Sequence, residues 1–174
     1  LHVALISNYL PVFTKLKGLE TTIAATGLTL IGIFNMMGTL ISGKISGIIK
    51  KKYVLSFIYF SRSIVIFFLL MLPTNNFVVI GFSCLIGLLW LSTVPPTSGI
   101  VANRFGTRYL STLFGIVMVS HQAGAFFGSF VGGLVIDAYG SLDLAWIMAI
   151  VISLFSAFIH LPIVEKEKSE EVFA

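Results

Sequence analysis

A chain of 174 residues in which 57% are hydrophobic and only 10% charged, with a mean hydropathy of +1.03, lacks the polar residues needed to cover a water-soluble globule. Its net charge of +4 comes from basic residues in connectors, with no aromatic-laced basic stripe, which argues against a nucleic-acid-binding surface. One cysteine, Cys84, excludes an intrachain disulfide, and the three histidines, His2, His121 and His160, have no ligand-type partner at i+3 or i+4 for a metal. A P-loop, a nucleophile elbow and a hydrolytic acid pair are all lacking, which argues against an enzyme and implies no cofactor.

From the N-terminus, the chain is a series of apolar stretches separated by short polar connectors. The first runs to Thr14 and, at ~1.5 Å per residue, makes about 21 Å of helix, short of a ~30 Å hydrocarbon core. With neither a basic n-region nor a small-x-small cleavage site, it does not read as a signal peptide. The expectation is a helix entered part-way, with the rest of a longer protein upstream. The next stretches run from Thr22 to Gly43, Tyr53 to Pro73, Phe77 to Gly99, Leu113 to Ile136 and Asp143 to Val164. Each has about 20 residues or more and is expected to span a bilayer. The expected fold class is all-α: a polytopic bundle of six transmembrane helices over residues 1–164, with its first helix truncated, and a polar tail over 165–174.

Lysine and arginine are unevenly shared among the connectors. Lys44, Lys50, Lys51 and Lys52 follow the second stretch, Arg104 and Arg108 follow the fourth, and Lys166 and Lys168 lie in the tail, whereas the alternate connectors hold only Lys15 and Lys17. By the positive-inside rule the richer set faces the cytoplasm. A multi-pass protein of the plasma or inner membrane, with a cytoplasmic C-terminus, is expected.

Small residues at four-residue spacing mark close helix approach in lipid. Gly124, Gly128 and Gly132 form such a ladder on the fifth stretch, so leucine at Gly128 is expected to disrupt packing and leucine at Ser129 to do less. Gly32, Asn35, Thr39 and Ser42 share one face of the second stretch, expected to turn from lipid. Pro95 and Pro96 remove two backbone donors from the fourth and predict a kink. Asn35, Arg62, Trp90 and His121 fall about 12 to 14 Å in from the cytoplasmic ends, one polar layer near the midplane. The carboxylates all lie in connectors, at helix ends or in the tail, so Arg62 must be answered by backbone carbonyls, by a substrate or by chain upstream. Asn35 and His121 also read as hydrogen-bond glue between helices, and Trp90 as a packing aromatic.

Six helices, a cytoplasmic C-terminus and a basic loop after the second helix together resemble the C-terminal half of a major facilitator superfamily transporter, over the whole chain. That superfamily carries a G-x-x-x-D-R-x-G-R-K loop at this place. The segment from Gly43 to Lys52 matches at Gly43, Lys51 and Lys52, with Gly47, Ile48 and Lys50 at the Asp, Arg and second Gly positions. Phe105-Gly106-Thr107-Arg108-Tyr109-Leu110, followed by Gly124, Gly128, Gly132, Gly133, Asp137, Gly140, Ser141 and Asp143, resembles bacterial members near the monocarboxylate and oxalate-formate transporter branch.

The resemblance implies one half of a twelve-helix secondary transporter working by alternating access, with the missing N-terminal six-helix half and the lipid bilayer as partners. Its substrate would be a small solute, an organic anion or monocarboxylate by the branch, moved with a proton or a counter-anion by symport or antiport. The implied pathway is Asn8 and Tyr9 near the outer end, then Asn35, Trp90, His121 and Gln122. Arg62 lies on a helix that in this fold usually packs outside the pore. It takes a structural or gating role with Gly43, Lys51, Lys52, Gly124, Gly128, Gly132, Pro95 and Pro96. The alternatives are a channel-type protein, which needs a polar stripe of full helix depth, and a non-transporting membrane scaffold.

Overall fold

A computed structural model describes residues 2–165, so the remainder of the expected tail, from Lys166 onward, lies outside the described residues. The described chain is helical, without a strand: α1 (His2–Leu16), α2 (Thr21–Ser46), α3 (Lys51–Met71), α4 (Asn76–Leu89), α5 (Val94–Phe105), α6 (Leu110–Tyr139) and α7 (Asp143–Ile159). By length and composition α2, α3, α6 and the run of α4 and α5 together are long and apolar enough to cross a membrane, while α7 is a shorter apolar helix of 17 residues. The last stretch was expected to continue to Val164. It stops at Ile159 because Pro162, close behind, cannot continue a helical hydrogen-bond ladder. The fourth stretch is two helices rather than one bent helix.

Local chemistry sets the other boundaries. Asn75 caps α4, its side-chain oxygen accepting from the Val78 N–H at 3.0 Å. Gly140 ends α6 in the left-handed region at φ 62°, a conformation that costs glycine little, so the chain can turn at once into α7.

The most extensive pairings are α2 on α4, α3 on α7 and α1 on α6. The core gathers toward the end of the bundle that carries the connectors after α1, α3 and α6. Leu5, Leu10 and Phe13 of α1 meet Leu69 of α3, Phe82 of α4 and Trp146 of α7 there. Trp146 is fully buried, with the Phe13 and Phe82 rings edge-on at 5.7 and 6.2 Å.

Glycines let the α2 and α4 backbones meet. A Cβ added at Gly87 would lie 2.8 Å from the Ile31 carbonyl oxygen, one at Gly38 would collide with the Leu88 carbonyl, and one at Gly27 would lie 2.7 Å from Ser83 Oγ. The buried face of α2 is therefore Gly27, Ile31, Gly38 and Ser42. Gly32, expected on that face, is exposed and meets nothing, while Asn35 and Thr39 lie at its border, half-buried. On α6, Gly128 and Gly132 are buried, and a Cβ at Gly132 would enter the Tyr9 ring. Ser129, expected to be the more tolerant neighbour, is itself part of the α1 contact: it accepts from Asn8 Nδ2 at 2.7 Å through Oγ and from Tyr9 Oη at 2.6 Å through its carbonyl.

Candidate functional site

The break between α4 and α5 follows from the proline pair. Each proline ring clashes with the carbonyl four residues back, and for Pro95 and Pro96 those carbonyls belong to Leu91 and Ser92. The turn before the prolines therefore dissolves, and the prolines enter the first turn of α5, where a missing N–H costs nothing. The break spans residues 90–93, upstream of the prolines themselves.

Side chains from two neighbouring helices take up the backbone groups this releases. Arg62 of α3, only 2% exposed, donates to the Leu89 carbonyl through Nε at 3.1 Å. Its Nη2 donates to the Leu89 and Trp90 carbonyls, and its guanidinium lies 5.0 Å from the Tyr59 ring centroid. Asn35 of α2 accepts from the Leu91 N–H at 2.9 Å. Ser42 donates to the Ser92 carbonyl, and Ser92 Oγ donates back to the Leu88 carbonyl. An unpaired buried backbone group costs about 1–3 kcal/mol by protein mutational measures and more in a bilayer interior, so these side chains decide whether the break can exist there.

Of the residues expected to act together, Asn35, Arg62 and Trp90 do meet, at this break. Trp90 caps α4 with its ring half-buried. Asn8 and Tyr9 belong to a separate cluster joining α1 to Ser129 of α6. His121 and Gln122 are exposed on α6, and neither has a hydrogen-bond partner among the described residues. Gly43 packs on the Pro95 ring, 3.8 Å from Cβ for an added methyl, and Gly99 of α5 makes room for the stem of Lys51.

Glu165 opens the polar tail, yet its carboxylate accepts from the Lys51 and Lys52 N–H groups at 3.0 and 2.7 Å and so caps α3. Lys52 Nζ reaches the Leu161 carbonyl at 3.1 Å, tying the same two segments together. A signal was present: α3 opens on Lys50, Lys51 and Lys52, the wrong sign for the positive end of a helix dipole, so a carboxylate from elsewhere was wanted.

Apolar helices with exposed apolar faces, and polar groups gathered at an interior helix break, are the make-up of a multi-pass membrane protein. The chain is similar to an uncharacterised MFS-type transporter, YcxA, of Bacillus subtilis (strain 168), 25% identical over 146 residues that cover 80% of this chain and 36% of the relative. The chain thus spans about a third of that relative's length. No family model matches the chain, and no solved structure matches it.

Proposed function

We propose that the chain is one bundle of a major facilitator-type secondary transporter, with α4 and α5 together counting as one of six spans, which moves a small solute by alternating access with a second bundle. The α4–α5 break carries this reading: an interrupted helix, polar at its interruption and packed on α2, is a recurrent element of transporter interiors. The similarity to an MFS-type transporter supports it. The break itself is not the solute site in this reading. Arg62 already occupies the carbonyls of the α4 end, and the two prolines leave the α5 end poor in N–H donors, so neither half-helix end is open to an ion.

Solute contact then falls to polar groups without an internal partner, His121 and Gln122, with the half-buried Trp90 ring as a wall. A carboxylate or other organic anion suits a protonated imidazole beside an amide, and His121 is the group of this bundle suited to carry a coupled proton. The bundle would sit in the cell membrane with its C-terminus in the cytoplasm. The test is uptake by the complete protein in proteoliposomes. Saturable uptake with counterflow of pre-loaded solute is expected; non-saturating flux without counterflow points to a channel, and no flux of any candidate solute to a scaffold.

A further inference from the structure

A crevice of about 520 Å³ runs between α2 and α3 down to the end of α4, within the ~300–1,000 Å³ of small-molecule sites. Ile41, Ile45 and Ile49 form one wall at four-residue spacing, and Tyr53 and Phe57 form the other. Ser42 and Ser92 lie in its floor, but their hydroxyls are spent on the Ser92 and Leu88 carbonyls. A polar solute would therefore lose its hydration there and gain no hydrogen bond. A hydrocarbon chain would lose nothing.

The mouth has the opposite chemistry. Lys44 and Lys50 adjoin Ile45 and Ile49 in sequence, are exposed, and make no ion pair among the described residues. Glu165, the carboxylate that the described residues place at this end, is turned into the first turn of α3. An apolar trough ending at two lysines that pair with no carboxylate among the described residues, where a spanning helix pair leaves the membrane, is complementary to a molecule with a hydrocarbon tail and a negative head.

We propose that this crevice binds an anionic phospholipid, with one acyl chain along the isoleucine wall and its phosphate on Lys44 and Lys50. The proposal rests on the chain spanning a bilayer, not on its transporting a solute. A juxtamembrane lysine contributes about a fivefold preference for anionic lipid, so the pair gives about thirtyfold.

Native mass spectrometry of the full chain, titrated with phosphatidylglycerol and phosphatidylcholine of identical acyl chains, reads this directly. Phosphatidylglycerol is expected to bind with the higher affinity. The double variant Lys44→Gln, Lys50→Gln should remove most of that preference and leave phosphatidylcholine binding unchanged, while Lys15→Gln, Lys17→Gln at the other end should leave both unchanged. Ile45→Trp, which fills the trough from a half-exposed wall position, should weaken both lipids. Equal affinities in the unaltered chain, or a preference that survives the lysine pair, would overturn the site. Displacement of the lipid by inorganic phosphate alone, or occupation of the crevice by a second copy that Ile45→Trp disrupts without changing lipid binding, would do the same. Retention of neither lipid would overturn the membrane-spanning reading along with it, whereas lack of transport would leave the proposal standing.

Discussion

Arg62 is the one charged side chain buried within a spanning helix among the described residues, and a neighbour's backbone carbonyls hold it. Its place in a polar layer with Asn35 and Trp90 could be read from the sequence, because depth follows from counting residues at a fixed rise. Its partner could not be read, since that depended on which turn of the fourth stretch the prolines would dissolve. Arg62→Met keeps the apolar stem but leaves the Leu89 and Trp90 carbonyls unanswered, at about 1–3 kcal/mol for a stranded buried group. A marked fall in thermal unfolding temperature in detergent is expected, with Arg62→Lys between the two because an ammonium cannot fork across two carbonyls. A methionine variant as stable as the parent would remove the clasp from the account of the break. His121 is the contrasting case, exposed and unpartnered. His121→Gln should therefore express like the parent while flattening the pH profile of uptake by the complete protein; an unchanged profile would move the proton elsewhere, and lost expression would show instead that the imidazole holds helices together.

Among the elements, the α6 ladder was visible as regular glycines, but what each glycine met was not, because a small residue reports a close approach without naming the visitor. At Gly132 the visitor is the Tyr9 ring, itself pinned to the Ser129 carbonyl. Gly132→Ala should cost about 1–3 kcal/mol as an overpacked contact, and much less in a Tyr9→Ala background, where the added methyl finds space. Strict additivity of the two changes in unfolding temperature would show that they do not touch. On α2 the face packed against α4 differs from the polar face of Gly32, Asn35 and Thr39 and shares only Ser42 with it. Gly27, Ile31, Gly38 and Ser42 recur at four, seven and four residues, and that heptad-like spacing was available in the sequence. At Gly38 the opposing atom is a backbone carbonyl that cannot swing aside, so Gly38→Ala should be less tolerated than Gly32→Ala, whose methyl meets open space; stability measured on the two variants decides this.

At the scale of the molecule, the two sets of connectors do collect at opposite ends, as alternating spans require. Lys17, Thr74 and Asp143 line one common pocket, while Lys51, Lys52, Leu161 and Glu165 meet at the other end with Gly99 of α5. Helix direction was legible because each apolar stretch must return the chain to the opposite side; which end faces the cytoplasm is a separate question, answered only by the bias of lysine and arginine. Lys51 is half-buried against Gly99 and its N–H is capped, whereas Lys50 and Arg104 are exposed at the basic end, and Lys17 and Asn76 at the other. In a Cys84→Ala background, single cysteines at Lys17 and Asn76 should react with an impermeant maleimide added to intact cells. Cysteines at Lys50 and Arg104 should react only after the membrane is opened. Labelling of position 50 from outside would invert the bundle, placing Glu165 and the proposed lipid site on the outer leaflet, where the excess of anionic lipid that attracts juxtamembrane lysines is not expected.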